Sequence, residues 1–439
     1  MNIAIIGLWH LGCVYAAGSA AAGHHVVGWD NDVDVVKNLA SGIPPLFEPG
    51  LAEQVSACLK NKSLTFEVDL RRAVCGAEVA WITFDTPVDE FDVADCDFVF
   101  EKVRCVLPLL EPDTTVLVSS QLPVGSVGKM KKIAVKIGRE DLEFACSPEN
   151  LRLGQALKVF ANPDRIVCGI ETEESRSVLQ RLFAPITDKI EWMKIESAEM
   201  TKHAINAFLA TSIVFANEIA ATCEEVGADA KEVERGLKTE SRIGHGAYVG
   251  PGLAFSGGTL ARDIGFLSDI SDKNDNNSIL IKSVKTSNNK HKMWVIDKLI
   301  SRLGSLKGKK IALLGLAYKP GTNTLRRSLS IECAENLLSI GACVCAHDPM
   351  ISELPPEWRD RISMADSVRD ALNKAHAFIL CTGWDEYRAM SESDIVGVMT
   401  RPLLIDPARF LFDKFGESNT IEYIAVGFDP GKIEVRRSE

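Results

Sequence analysis

Residues 2–6, NIAII, form a short apolar run that stops at Gly7. A stretch rich in small residues follows to about Gly23, and then a second apolar run, HHVVGWD. Strand, turn, helix, strand is how a parallel α/β sheet begins, and parallel strands require crossovers that cover both faces of the sheet. Further strands are expected in AEVAWITF, TTVLVSS, EFACS and DRIVCGI, with helical segments between them. The pattern restarts at KGKKIALLGLAYKPGT, with strands KIALLG, CVCAHD, AFILCTGW and RPLLID. Between the two parts, residues 197–225 read as one long helix, with Ser197 as N-cap, Glu199 in the first turn and Gly227 just past the end. That helix is apolar nearly all round, so it is expected to be buried. Another helix is expected from about 279 to 303. At 439 residues the chain is too long for one core. The expected fold is α/β: two Rossmann-like parallel-sheet domains joined by a central helical segment with a long spine helix. The boundaries are drawn at 1–195, 196–305 and 306–439.

Charge narrows the class of partner. The net charge of -11 argues against nucleic acid and anionic membrane, since both need a basic face. No run of about 18 uncharged apolar residues occurs, so no membrane span is expected. The apolar opening MNIAIIGLWHLGCVYAAGSAAAG lacks the positive start of a signal peptide, and the strand–turn–helix reading explains it better. Twelve scattered cysteines, without CxxC pairs or His-rich tracts, speak for buried thiols and against zinc or another metal. A cytoplasmic protein is the expectation.

GLWHLG, Gly7 to Gly12, sits where a dinucleotide fingerprint belongs, after a strand and before a helix. The first glycine makes the tight turn, and the third lets helix pack on strand. The second, which lets backbone approach the pyrophosphate, is Trp9 here, and a side chain there should crowd the phosphates. Asp30, 23 residues after Gly7, supplies the carboxylate that accepts from a ribose 2′-OH and repels a 2′-phosphate, favouring NAD over NADP. Gly7, Trp9, His10, Leu11, Gly12 and Asp30 are thus the candidate cofactor residues.

Eight segments in order, SGIPPLFEPGL, TPVDE, SSQLPVGS, SPENLRLGQALKVFANPDRIVCG, SAEMTKHAINAFLA, RIGHGAYVGPGLAFSGGTLARD, GLAYKPGTNTLRRS and HDP, resemble the UDP-glucose / GDP-mannose dehydrogenase family. The resemblance covers nearly the whole chain. It implies an NAD domain, a central helical segment used for homodimerisation, and a C-terminal α/β domain that grips the nucleotide of a nucleotide-sugar substrate. The implied chemistry is double oxidation of C6 by NAD: a hydride leaves to give an aldehyde, a cysteine thiolate adds, a second hydride leaves to form a thioester, and water releases the uronate.

Carried over residue by residue, the resemblance implies that Lys202 and Asn206 stabilise the oxyanion or move the proton on O6. Glu149 matches the acid near the hydrolytic water, and Asp263 the acid beside the catalytic loop. Arg242 matches an arginine that reaches the nucleotide phosphates across the dimer. Arg152, Tyr248, Gly257, Gly258, Arg262, Lys319 and Arg326 are implied substrate contacts, and Thr86, Pro87 and Gln121 lie on the cofactor side. Independently of any family, Lys202 and Asn206 share one helix face, and a lysine in a helix this apolar needs a partner or a job. The plainer alternative is a structural lysine paired with an acid such as Glu199; for Arg242, Lys319 and Arg326 it is a surface ion pair.

Five positions depart from the family pattern: Trp9, Gln121 for Thr, Leu153 for a second acid, Arg262 for Lys, and Thr259 for the nucleophilic Cys. A thiol of pKa about 8.5 can be tuned to a thiolate, whereas an alcohol needs a positioned general base. Cys146 is a candidate displaced nucleophile, though a strand-end thiol of this kind is more often packing. Three outcomes remain open: oxidation of the aldehyde hydrate without a covalent intermediate, a one-step or redox-neutral enzyme of the aldehyde-forming or epimerase kind, or a non-catalytic nucleotide-sugar binder.

Overall fold

The computed structural model describes residues 1–87, 89, 94–256 and 258–429. By compactness the chain divides into two units, Met1–Ile205 and Asn206–Glu439.

The first unit is built on eight strands: β1 (Asn2–Ile6), β2 (His25–Trp29), β3 (Leu64–Glu67), β4 (Val79–Ile82), β5 (Thr115–Val118), β6 (Glu143–Cys146), β7 (Ile166–Gly169) and β8 (Ile190–Met193). Their order is β3-β2-β1-β4-β5-β6-β7-β8. All neighbours pair in parallel except β6 and β7, which run antiparallel through Cys146 and Gly169. Strands β4 and β5 are buried at every residue, as strands covered on both faces must be. The helix His10–Ala21 packs on one face, where Tyr15 stacks against Trp81 with ring centroids 4.4 Å apart.

The second unit carries a six-stranded parallel sheet: β9 (Lys310–Leu314), β10 (Cys343–His347), β11 (Ser363–Met364), β12 (Ala377–Leu380), β13 (Leu403–Ile405) and β14 (Glu422–Ile424), in the order β11-β10-β9-β12-β13-β14. One device opens both sheets. Gly7 follows β1 with φ 104°, and the next N–H, of Leu8, donates to Asp30 beyond β2 at 2.7 Å. Gly315 follows β9 with φ 90°, and the N–H of Leu316 donates to Asp348 beyond β10 at 2.6 Å. The left-handed φ at each glycine is one that side chains rarely adopt.

The long helix runs Ile195–Val226, and Gly227, with φ 78°, ends it by donating to the Cys223 carbonyl. Two expectations about it are corrected. The helix starts two residues before Ser197, which therefore does not cap it. Nor is it buried all round, because Phe208 is 70% and Phe215 46% exposed. By length and composition alone it could cross a membrane, yet it carries the buried polar residues Glu199, His203, Asn206, Asn217 and Glu224. The helix expected over 279–303 is two, Ile279–Lys292 and Trp294–Leu303, parted at Met293.

A Cβ added to Gly12 would lie 1.8 Å from the Gly7 carbonyl oxygen, so the helix rests directly on the turn. Gly12→Ala should therefore destabilise the protein by about 3 kcal/mol or more and lower its Tm by several degrees, measured by thermal unfolding.

Candidate active site

The turn after β1 keeps the shape that a dinucleotide requires. A Cβ on Gly7 would stand 2.9 Å from the Phe84 backbone nitrogen, so the turn lies against the chain leaving β4. Trp9 precedes the helix in extended backbone and is 41% exposed, so the indole does not displace the turn. No acid occupies the first helical turn, which leaves its N–H groups and the positive helix end suited to a pyrophosphate. Asp30 accepts from Leu8 N–H through one oxygen and from Asp32 N–H, at 3.0 Å, through the other. A carboxylate has about four acceptor positions, so capacity remains for ribose hydroxyls. Leu11 is buried beneath the turn. The Thr86 hydroxyl donates to the Gln121 carbonyl at 2.7 Å, and the Pro87 carbonyl accepts from Asp95 N–H at 2.8 Å. These residues fit NAD.

His10 leads to a carboxylate that local sequence reading missed. Its Nε2 lies 2.9 Å from Glu48, which is buried and also accepts the N–H groups of Gly154 and Ala156, both at 2.8 Å. One side chain thereby joins the cofactor turn to the segment after Glu149.

Beside that segment the first unit holds a partly open cleft. Aromatic and aliphatic side chains form its walls, Tyr15, Trp81, Phe160 and Phe183 among them, and Glu149, Lys202 and Arg165 also line it. Lys202 Nζ stands 3.1 Å from Glu149 Oε1, with both side chains mostly buried. Glu149 Oε2 accepts the Leu151 N–H at 2.9 Å, so the carboxylate is held from both sides. Lys202 is therefore partnered by Glu149 and not by Glu199, whose carboxylate instead accepts from Gly125 N–H at 2.6 Å and Val127 N–H at 3.0 Å. Burial, then the nearby Glu149, pushes the Tyr15 phenol up, so it stays a proton donor. A lone tyrosine in a small-residue helix looks like packing, and neither it nor Arg165 was legible as a lining residue. Arg152, by contrast, is exposed.

In the second unit, Asn206 donates its side-chain N–H to Asp263, which is fully buried. A carboxylate only accepts, so the amide nitrogen must face it. Asp263 lies in the helix Thr259–Lys273, of which Thr259 is the first residue and is exposed. Gly258 precedes it with φ 108°, and its carbonyl accepts the Arg262 N–H at 2.8 Å. Gly257 falls outside the described residues. Arg242 is a surface residue paired with Glu240 at 2.9 Å, and Tyr248 is 61% exposed. The Lys319 carbonyl accepts the Thr322 hydroxyl at 3.2 Å, while Arg326 lines an open groove with Met350, Glu357 and Trp358.

Burial holds the Cys146 thiol well above its ordinary range, with the Glu199 carboxylate and then Cys168 adding to the effect. A displaced nucleophile would need the opposite environment, so Cys146 is a packing thiol.

The fold and these clusters define an NAD-dependent oxidoreductase acting on CH–OH groups. Profiles of the UDP-glucose/GDP-mannose dehydrogenase family match in sequence, its NAD binding domain over residues 1–187, its central domain over 196–290 and its UDP binding domain over 312–413. The chain is 31% identical to the UDP-glucose 6-dehydrogenase YwqF of Bacillus subtilis over 97% of its own length and 98% of that protein's. It is 32% identical to a UDP-glucose 6-dehydrogenase of Rickettsia bellii, covering 97% and 99%. A UDP-glucose dehydrogenase structure from Pyrobaculum islandicum superposes with a TM-score of 0.88 at 29% identity, covering 97% of this chain and 98% of that one. The protein thus belongs to the UDP-glucose/GDP-mannose dehydrogenase family, and it is an NAD-dependent nucleotide-sugar dehydrogenase.

Cys146→Ala should leave acid formation within about threefold of the parent, as removal of an unreactive buried thiol does. A loss of two orders of magnitude in product measured by mass would return the nucleophile to this position.

Proposed function

We propose that the protein oxidises C6 of a UDP-glucose-like nucleotide hexose twice, to the uronate, and that the second oxidation proceeds through the aldehyde hydrate without a thioester. The observation that carries this reading is the Lys202–Glu149 pair, 3.1 Å apart in an apolar-walled cleft. Bound through the Gly7–Gly12 turn and Asp30, NAD supplies the hydride acceptor for both oxidations. Lys202, paired with the Glu149 carboxylate, donates to the oxygen on C6 as negative charge develops there. Glu149 is the proton acceptor for water adding to the aldehyde. Asn206, four residues further along the helix and oriented by Asp263, holds the same oxygen.

Thr259 has no acyl-carrying role in this scheme. Its hydroxyl begins a helix, where a thiolate would be stabilised but an alcohol stays far from ionised. The hydrate route needs no nucleophile at this position, because water supplies the second oxygen. Phe208 and Phe215, two turns apart and both exposed, support a homodimer formed through the long helix. Arg242, outside every described cluster, suits a role across that interface. A cytoplasmic setting accords with twelve cysteines that are all free thiols.

The deciding experiment is the ratio of NADH formed to UDP-glucose consumed, with products identified by mass. Two NADH and a uronate are expected; one NADH and a released aldehyde would overturn the second oxidation. Lys202→Ala should lower the first hydride transfer by at least about a thousandfold, through loss of the charge at O6 and exposure of an unpaired Glu149. Thr259→Cys should leave that first transfer unchanged and yield an acyl-enzyme that can be trapped and weighed.

A further inference from the structure

Within the first unit a single carboxylate bridges two places that the reaction uses together. Glu48 is 4% exposed, and its carbonyl accepts the Leu51 N–H at 3.1 Å, which anchors its backbone to the start of the helix Leu51–Lys60. That helix is tied in turn to the helix His10–Ala21, because the Gln54 side-chain amide donates to the Ala17 carbonyl at 3.1 Å. One oxygen of Glu48, Oε2, meets both His10 Nε2 at 2.9 Å and the Gly154 N–H at 2.8 Å, while Oε1 accepts the Ala156 N–H. A carboxylate only accepts, so Nε2 is the protonated nitrogen on this side of the imidazole.

Both ends of this bridge lie where regular hydrogen bonding stops. His10 is the first residue of its helix, so its N–H has no intrahelical partner and is directed at whatever binds the helix end. Between β6 and the helix Ala156–Ala161 the chain forms neither strand nor helix. Pro148, Glu149, Asn150 and Leu151 of that stretch line the cleft. The Leu151 and Gln155 N–H groups are satisfied inside the stretch, by Glu149 Oε2 and by the Arg152 carbonyl, and Gly154 takes a φ of 82°. Glu48 supplies an outside hold on its far end, and shares one oxygen of that hold with the cofactor turn.

We propose that Glu48 is a positioning residue that makes the cleft wall respond to the cofactor. The Gly7–Gly12 turn, once loaded with NAD, fixes His10; His10 fixes the Glu48 carboxylate; and the carboxylate fixes the stretch 149–156 that carries Glu149. This rests on the reading above, in which NAD lies on that turn and Glu149 acts in the cleft. Helix-end N–H groups engaged by a pyrophosphate hold the His10 backbone, and the ring, already directed at Glu48, loses freedom with it. The shared Oε2 makes its two donors depend on each other, because the carboxylate orientation that serves Gly154 and Ala156 is the one His10 reaches. Glu48 acts only through the groups it holds.

The test is amide hydrogen exchange, read by mass spectrometry on the full chain with and without saturating NAD and with no sugar present. In the parent, NAD should slow exchange by about tenfold or more at residues 8–13 and also at 150–156. His10→Phe should keep the protection at 8–13 and bring 150–156 to within about twofold of the cofactor-free protein. His10→Gln, whose side-chain N–H can reach the same carboxylate, should restore the second protection, a rescue that a merely structural role does not give. Glu48→Gln should behave as His10→Phe does, and it serves if that variant does not fold. Protection at 150–156 that persists in both His10→Phe and Glu48→Gln sinks the inference, as does a His10→Gln protein no better than His10→Phe. Two failures in the parent are told apart by place. No protection at 8–13 overturns the seating of NAD on the turn; protection at 8–13 alone overturns the role of Glu48.

Discussion

A lysine and a glutamate meet 3.1 Å apart inside an apolar-walled cleft. A partly buried charge without a partner is costly, and here each side chain supplies the other's. Glu149 is fixed further by the Leu151 N–H, and the chain around Leu151 is fixed by Glu48 through Gly154 and Ala156. The placement of Lys202 thus extends, bond by bond, to the turn at His10. Asn206 and Asp263 repeat the principle in the second unit, where a buried acid sets the direction of an amide.

The two sheets begin with the same glycine and the same carboxylate and put them to different uses. Asp30 makes two backbone hydrogen bonds and keeps room for a ribose. Asp348 is buried and accepts from Leu316, Ala317 and Met350 N–H and from the Trp384 indole. Its acceptor positions are filled from within. In addition, the segment after Gly315 does not enter a helix at once; the next helix starts at Leu329. The second sheet therefore keeps the turn as a structural brace, and Lys319 and Arg326 stand on the loop that follows it.

What the sequence made legible is the part of the structure that depends on near neighbours. Apolar runs ending in glycine located β1 and β9, runs ending in aspartate located β2 and β10, and the Gly7–Asp30 spacing located the cofactor turn. Lys202 stood out as a cation in an apolar helix. Partner choice was another matter: Glu199 is the nearer acid in sequence, yet its carboxylate binds two amides at a helix start, and Lys202 reaches 53 residues back to Glu149. Glu48 was illegible for the same reason, because its contacts lie across 38 to 108 residues. Apolarity likewise gave the length of the long helix but not which face is covered, and the break at Met293 has no glycine or proline to announce it.

Glu48 also constrains how such a chain can diverge. One carboxylate serves an imidazole and two amides drawn from three separate segments. Exchange for a neutral amide would turn an acceptor into a donor facing donors, and a shorter acid would not span the same three points. Drift at this position is therefore tied to simultaneous change elsewhere, so the residue should be among the slowest to vary.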